Sequence, residues 1–365
     1  MFTKGGKPDL LVFIAVIALL SIGLVMVFSA SSVMGLADYG NPYHYVHRQS
    51  ILALVGLVLM FILMRVDYHI FRPLALPGLL ISFALLILVL FVGTGTGGAT
   101  RWIRLPGFNL QPSEVAKLIM VNYVAVYLSH KRENTRKFFS GLLPILLFTG
   151  AQFALIMLEP DFGTGGTIVA VSLMMLFAAG ARSIHLLSLA ALGVPGLVVM
   201  AIAAPYRARR FLAFLDPWED PLGSGFHIIQ SLLALGSGGL FGVGLGRSRQ
   251  KFLYLPMQHT DFIFAIIGEE LGFTGAAMVL IFYFLFAWRG LRIAIATSDA
   301  FGKLLAVGIT TMIVFQAIIN IGVVSGVLPI TGITLPLISS GGSSLVTTLA
   351  AIGVLLNISK HSTLR

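Results

Sequence analysis

Carboxylates are scarce in this chain, and several of them lie in or beside its apolar segments. In Leu255–Gly272 (LPMQHTDFIFAIIGEELG), Asp261 begins an apolar helix, and Glu269 and Glu270 follow about two turns later. The helix dipole favours a carboxylate at that position, and a positioned carboxylate can accept a proton from a hydroxyl nucleophile. We therefore take Asp261 as the principal candidate for chemistry and expect Glu269 and Glu270 to bind internal polar groups.

A second set of ionisable residues lies in the segment QPSEVAK. Glu114 and Lys117 are three positions apart, so they share one face of a helix and are expected to pair. Two alternatives stay open: the pair fixes helix packing, or it lines a pathway, as ionisable groups inside a bilayer usually do. Asp161, in the segment EPDFGTG between two apolar runs, is either a turn residue after Pro160 or a further site residue.

A third set of residues is basic and lies in one long segment, Pro205–Asp261. Its cations are Arg207, Arg209, Arg210, Arg247, Arg249 and Lys251. Two explanations stay equally open: attraction to anionic lipid headgroups, or binding of the phosphate oxygens of a membrane-anchored substrate. The nearby glycine run Gly242–Gly246 follows no strand and lacks the spacing of a Walker or dinucleotide motif. It does not indicate a nucleotide site.

The elements that must position these residues are membrane-spanning helices. Hydrophobic residues make up 57% of the 365 residues, charged residues only 10%, and the mean hydropathy is +0.96. Soluble globular domains lie far from this composition, so the fold class is an all-α polytopic membrane protein with ten expected spans. These are Leu10–Phe28, Ile51–Met64, Leu79–Val92, Val115–Leu128, Leu142–Leu158, Thr164–Ala179, Ile184–Ala204, Phe262–Trp288, Leu304–Val324 and Leu345–Ile358. Several runs are shorter than the ~20 residues that a bilayer requires, so flanking polar and small residues must extend them.

Ten spans place both termini on one side of the membrane. Lys and Arg in short loops are retained in the cytoplasm, and a cytoplasmic N-terminus leaves only Arg48, Arg101 and Arg104 in short external loops. Residues 205–261 then form the one long external loop, and residues 1–365 form a single membrane domain. The sequence contains no cysteine, so neither a disulfide nor a thiolate metal site is expected.

Several ordered motifs resemble the signature segments of one family across nearly the whole chain. They are QPSE (111–114), PDFGT (160–164), FLDPWEDPLGSGFHIIQS (214–231), HTDFIFA (259–265) and LPLISSGGSS (335–344). By these motifs the chain is identified as a member of the SEDS family (shape, elongation, division and sporulation). The segment GLGRSRQK (244–251), followed by YLP (254–256), is more similar to the division and sporulation members than to the elongation members.

The resemblance implies a ten-helix enzyme that polymerises the peptidoglycan precursor lipid II into a glycan strand at the outer face of the bacterial plasma membrane. It implies a class B penicillin-binding protein, a single-span transpeptidase, as partner, and no nucleic acid. Asp261 matches the essential aspartate of the family. Residues matching its cavity are Arg48, Glu114, Lys117 and Asp161, with Arg207 and Arg210 as weaker matches. Met257 and Ser340 depart from the family pattern, which commonly has Glu and Tyr there.

This activity suits the residue types. A sugar hydroxyl is a poor nucleophile, so its attack on an anomeric carbon benefits from a carboxylate base, here Asp261. The polyprenyl diphosphate leaves without protonation, and its charge could be stabilised by Lys117, Arg48 and the loop arginines, with a divalent cation (Mg²⁺ or Mn²⁺) left open. One in-line displacement needs one base, not the two carboxylates of glycoside hydrolases. The alternatives are a lipid II flippase and a non-catalytic scaffold for the transpeptidase. The enzyme is favoured over the flippase, which is the second choice, because a transporter site would lie nearer the midplane of the bilayer.

Overall fold

The computed structural model describes residues 6–95, 100–105, 108–130, 135–202, 205–252 and 258–363, and it is helical almost throughout. The helices are α1 (Leu10–Tyr39), α2 (His44–Leu63), α3 (Ala75–Val92), α4 (Pro112–His130), α5 (Leu143–Leu158), α6 (Phe162–Ala178), α7 (Ser183–Ile202), α8 (Pro205–Leu215), α9 (Phe226–Ser237), α10 (Ile263–Ala296), α11 (Ala300–Val324) and α12 (Gly342–Ser359). Two short strands, β1 (Ile103–Leu105) and β2 (Phe108–Leu110), form an antiparallel hairpin between α3 and α4. No pattern in the sequence predicted this hairpin.

Each predicted span overlaps a helix within its described residues, and the chain is a multi-pass membrane protein. Seven helical stretches in the described residues are long and apolar enough to cross a bilayer: α1, α2, α3, Phe138–Leu158, α10, α11 and α12. The expected extension into flanking residues is confirmed, because α2 begins at His44 and α12 begins at Gly342. The two helices pack closely where a Cβ on Gly353 would lie 2.6 Å from the Met60 carbonyl oxygen.

One end of the helix bundle gathers basic residues and both ends of the described chain. Asp9 caps α1 through the Val12 amide, and the Arg289 Nε donates to Asp9 Oδ2 at 3.0 Å. Arg72 pairs with Asp299 at 2.7 Å, and the Lys360 ammonium donates to the Met64 carbonyl at 2.9 Å. We refer to this as the basic end; it brings together the start of α1, the end of α10 and the end of α12.

The structure corrects two expectations for the region from Pro205 to Gly272. The predicted long loop contains two helices, α8 and α9, and α9 packs against α10 and α11. In addition, α10 is broken at Gly272, whose backbone is non-helical (φ 68°, ψ −166°). The predicted continuous span Phe262–Trp288 is therefore interrupted at Gly272, because a left-handed φ ends the regular helical repeat.

Candidate functional site

Asp261 does not begin α10 as predicted, because the helix begins at Ile263 and its N-cap is Phe262. Asp261 lies two residues before the helix, at the end of the bundle opposite the basic end, and it is partly exposed. Its backbone carbonyl accepts a hydrogen bond from the Asn320 amide at 2.7 Å. The preceding residues are held as well, because the Ser339 hydroxyl donates to the Thr260 carbonyl at 2.6 Å and the Ser340 amide donates to the His259 carbonyl at 2.9 Å. The backbone that carries this carboxylate is thus fixed residue by residue.

The connection between α11 and α12, residues 325–341, packs against Asp261 and its preceding residues. It is anchored by buried amide side chains: Asn320 donates to the Ile333 carbonyl at 2.7 Å, Gln316 to the Thr334 carbonyl at 3.0 Å, and Gln49 to the Ser339 carbonyl at 3.0 Å. Gly332 faces the carboxylate, since a Cβ there would lie 3.6 Å from Asp261 Oδ2. The supporting residues Gln49, Gln316, Asn320 and Gly332 were not singled out from the sequence, whereas Ser339 lies in the motif LPLISSGGSS.

The predicted pairing of Glu114 with Lys117 is present and buried. Lys117 Nζ lies 2.9 Å from Glu114 Oε1 and also donates to Gln316 Oε1 at 2.7 Å, and the two residues are 4% and 5% exposed. Because Gln316 in turn holds Thr334, the pair reaches the 325–341 connection through one amide side chain. Buried charges of this kind need such compensation, and the Lys117 contacts with Glu114 and Gln316 provide it.

Asp161 is only 2% exposed and caps α6. Its carboxylate accepts hydrogen bonds from the Thr164 amide at 3.1 Å, the Thr164 hydroxyl at 2.9 Å and the Gln111 amide side chain at 3.3 Å. The start of α6 packs tightly on the same connection, since a Cβ on Gly163 would lie 2.5 Å from Ile333 Cγ1. The structure therefore brings Asp261, Asp161 and the Glu114–Lys117 pair around residues 331–341.

Among the predicted cationic residues, Arg48 does not share the buried environment of the Glu114–Lys117 pair. Arg48 is exposed near the start of α2, beside Gln49, and makes no hydrogen bond or ion pair within the described part of the chain. The backbones of Arg207 and Arg210 belong to α8, but their side chains lie outside the described residues. Arg101 is engaged with the backbone carbonyls of Glu159 and Pro160. Arg48 is thus a cation at this end that is exposed and unpaired within the described residues.

Two buried titratable residues beside the site escaped sequence reasoning. Burial lowers the pKa of His259 to about 4, so this imidazole is neutral at physiological pH and adds no positive charge; its ring lies 4.7 Å from that of Tyr45. Burial and, secondly, the charge of Asp161 raise the pKa of Glu159 to about 8, although Arg101 opposes the shift. Glu159 is fully buried, and it holds a proton at neutral pH.

We expect Glu159 to make the protein less stable as the pH rises. Because the folded state retains a proton that the unfolded state has lost between about pH 4.5 and 8, the free energy of unfolding falls through that window by up to about 1.4 kcal/mol per pH unit. Thermal melting in detergent from pH 5 to 9 measures this fall, and Glu159→Gln should flatten it. An identical pH dependence in the variant would show that Glu159 does not titrate there.

No three His, Asp or Glu side chains converge on a metal-binding point within the described residues. The divalent cation left open above therefore stays a prediction.

Comparison with known proteins decides the family. The profile described as "Cell cycle protein", that of the FtsW, RodA and SpoVE proteins, matches residues 9–364. The chain belongs to this family. It is 48% identical to the stage V sporulation protein E of Bacillus subtilis over 99% of this chain and 100% of the relative. It is 45% identical to a probable peptidoglycan glycosyltransferase FtsW of Geobacter sp. strain M18 over 96% of each. The predicted SEDS membership is confirmed.

Solved structures of the family share the fold. A chain from a structure described as "Structural coordination of polymerization and crosslinking by a peptidoglycan synthase complex" superposes with a TM-score of 0.79 at 33% identity, covering 96% of this chain and 97% of that one. The Thermus thermophilus rod shape determining protein RodA superposes with a TM-score of 0.73 at 30% identity, covering 98% of each chain. The chain is thus more similar in sequence to these sporulation and FtsW relatives, at 48% and 45% identity, than to RodA at 30%, as its motifs predicted.

Proposed function

We propose that this SEDS protein is a peptidoglycan glycosyltransferase of division or sporulation that polymerises lipid II at the outer face of the plasma membrane. One observation carries the proposal: a partly exposed carboxylate, Asp261, has its backbone fixed by Asn320, Ser339 and Ser340 at the end of the bundle opposite the basic end. A general base requires this combination of access and fixed position.

The proposed reaction is one in-line displacement. Asp261 accepts the proton of an acceptor sugar hydroxyl while the hydroxyl oxygen forms its bond to the anomeric carbon of the donor. The bond from that carbon to the diphosphate breaks, and polyprenyl diphosphate leaves with the electron pair. Arg48 is the side chain we assign to the departing charge, because it is exposed and within the described residues has no partner. Arg207 and Arg210 stay candidates for the same role.

Glu114, Lys117 and Asp161 receive a different assignment from the one expected for the cavity. Their polar groups are already occupied by Gln316, Thr164 and Gln111 and are shielded from solvent. We assign them to positioning the 325–341 connection, which in turn supports Asp261. Substrate contact is left to Arg48 and the loop arginines.

The proposal includes a topology of ten spans with both termini in the cytoplasm. The seven long apolar stretches are joined by α4, α6 and α7, each of which overlaps a predicted span. The basic end faces the cytoplasm, in accord with the retention of Lys and Arg there. A reporter fused near Lys131 should behave as cytoplasmic, and one inserted near Ser224 as external. The reverse pattern would place Asp261 inside the cell and remove the mechanism.

A class B penicillin-binding protein is the proposed partner, since a family relative has been solved as part of a peptidoglycan synthase complex. The test of the function is to purify the chain with its cognate transpeptidase, supply lipid II and separate the products on a gel. Glycan strands that form while the transpeptidase active site is blocked support the proposal. Lipid II that is bound but never polymerised would contradict it.

A further inference from the structure

The break in α10 at Gly272 leaves a short buried helix, residues 263–271, that we call the N-terminal segment of α10. The peptide groups on both sides of the break pair with residues 239–244. Val243 N donates to the Glu269 carbonyl at 3.0 Å, Gly244 N to the Glu270 carbonyl at 3.1 Å, and Phe273 N to the Gly239 carbonyl at 2.9 Å. Irregular backbone is tolerated inside a membrane protein only when it is paired in this way.

Glu269 and Glu270, at the end of this segment, bind residues 248–251, which precede α10 in the chain. The Ser248 hydroxyl donates to Glu269, and Arg249 N donates to Glu269 Oε1 at 2.8 Å. Glu270 binds a different group, because Lys251 Nζ lies 3.3 Å from its Oε1. Glu270 also accepts a hydrogen bond from the Ser248 amide at 3.3 Å, so the two carboxylates together hold residues 248–251. The expectation that both acids bind internal polar groups is therefore confirmed.

Glu270 also reaches a third element, α1. The Ser29 hydroxyl lies 2.7 Å from both carboxylate oxygens of Glu270 and 3.4 Å from Lys251 Nζ. The side chains of Glu270 and Lys251 are 0% and 5% exposed, so this is a desolvated charge cluster, whose partners cost several kcal/mol to separate. Gln258 adds hydrogen bonds to the carbonyls of Ala30 and Lys251, both at 2.9 Å.

We propose that Ser29, Lys251 and Glu270, which we call the clamp, are positioning residues for Asp261. The N-terminal segment of α10 is a short rigid helix held at two ends. At one end Asp261 and its neighbours are bound by Asn320, Ser339 and Ser340; at the other the clamp joins the segment to α1 and to residues 248–251. Nine helical residues, about 13 Å, separate the ends, so releasing the clamp tilts the segment and displaces the carboxylate.

This inference rests on the proposed role of Asp261 as the base. A displacement of about 1 Å at a reacting group can cost about 10²-fold in rate while substrate binding is retained. The clamp touches none of the groups assigned to the diphosphate, so its loss should leave the KM for lipid II within about twofold. Lys251 belongs to the long segment that also contains α8 and α9. A displacement of that segment would therefore reach Asp261 through Lys251, Glu270 and the N-terminal segment of α10.

The experiment compares Ser29→Ala with the double variant Glu270→Gln/Lys251→Met. Ser29→Ala removes one hydroxyl, and the double variant removes both charges together, which spares the protein an isolated buried charge. Glu219→Gln is the matched control, because Glu219 is an exposed acid in the same long segment. We measure kcat and KM with lipid II, thermal melting, and hydrogen exchange of the amides of residues 258–262.

We expect a fall in kcat of about 10-fold for Ser29→Ala and about 10²-fold for the double variant, with an unchanged KM, a folded protein and faster exchange at residues 258–262. Ser29→Thr, which restores the hydroxyl, should restore kcat. Wild-type kcat in the double variant, or a loss of kcat with unchanged exchange, would overturn the inference. Failure of the proposed function looks different: Asp261→Asn would stay active, while exchange at residues 258–262 would still respond to the clamp.

Discussion

The Asp261→Asn variant should fold, associate with its transpeptidase partner, bind lipid II and make no detectable glycan strand. Asparagine keeps the size of the side chain and leaves the Asn320 bond to the residue 261 carbonyl in place, but it cannot accept the proton of the sugar hydroxyl. Losing one general base costs about 10²–10⁴-fold in rate. Binding should persist because Arg48 and the loop arginines, which we assign to the diphosphate, are unchanged.

The matched control is Asp216→Asn, the same substitution at an exposed acid of the long segment. It should leave the polymerisation rate unchanged. Thermal melting and co-purification with the partner establish that Asp261→Asn is folded, and a binding assay with labelled lipid II establishes that it still takes substrate. Polymerisation at the wild-type rate by folded Asp261→Asn would show that another group is the base.

The second large effect concerns the buried Glu114–Lys117 pair. Replacing Lys117 alone with Met leaves the Glu114 carboxylate buried without its cation and removes the Lys117 bond to Gln316. Breaking such a pair typically costs about 3–5 kcal/mol. We therefore expect a strongly lowered melting temperature and little purified protein.

The double variant Glu114→Gln/Lys117→Met separates positioning from substrate contact. Removing both charges together should recover most of the lost stability, because a buried pair can often be exchanged for neutral groups. If the pair only supports the 325–341 connection, activity should return to within about tenfold of wild type. A double variant that melts like wild type and binds its partner, yet makes no polymer, would instead place Lys117 in contact with the diphosphate.

The spans could be predicted because an apolar run that is long enough has few other structures open to it in a membrane. The break at Gly272 could not be predicted, since its peptide groups are satisfied by Gly239, Val243 and Gly244, more than twenty residues earlier. The helix α9 escaped for a related reason. Its 12 residues are too few to span a bilayer, and it forms against α10 and α11.

The acids of the site could be singled out because an ionisable side chain inside a membrane is energetically costly and usually marks a functional position. Their supports could not be found from the sequence. Gln316 and Asn320 look like ordinary polar residues of α11, and only the fold brings them to Thr334, Lys117 and Asp261. For the same reason the spacing of Glu114 and Lys117 predicted their pairing but not their burial.

The most direct test of the central claim measures polymerisation and translocation in the same proteoliposomes. Wild-type protein and Asp261→Asn are each reconstituted with the partner, whose transpeptidase site is inactivated, and with fluorescent lipid II. A polymerase with Asp261 as its base predicts glycan strands from the wild type, none from Asp261→Asn, and no difference between the two in the movement of lipid II across the bilayer. Transbilayer movement that is lost in Asp261→Asn, with no strands from the wild type, would contradict the account and identify a flippase.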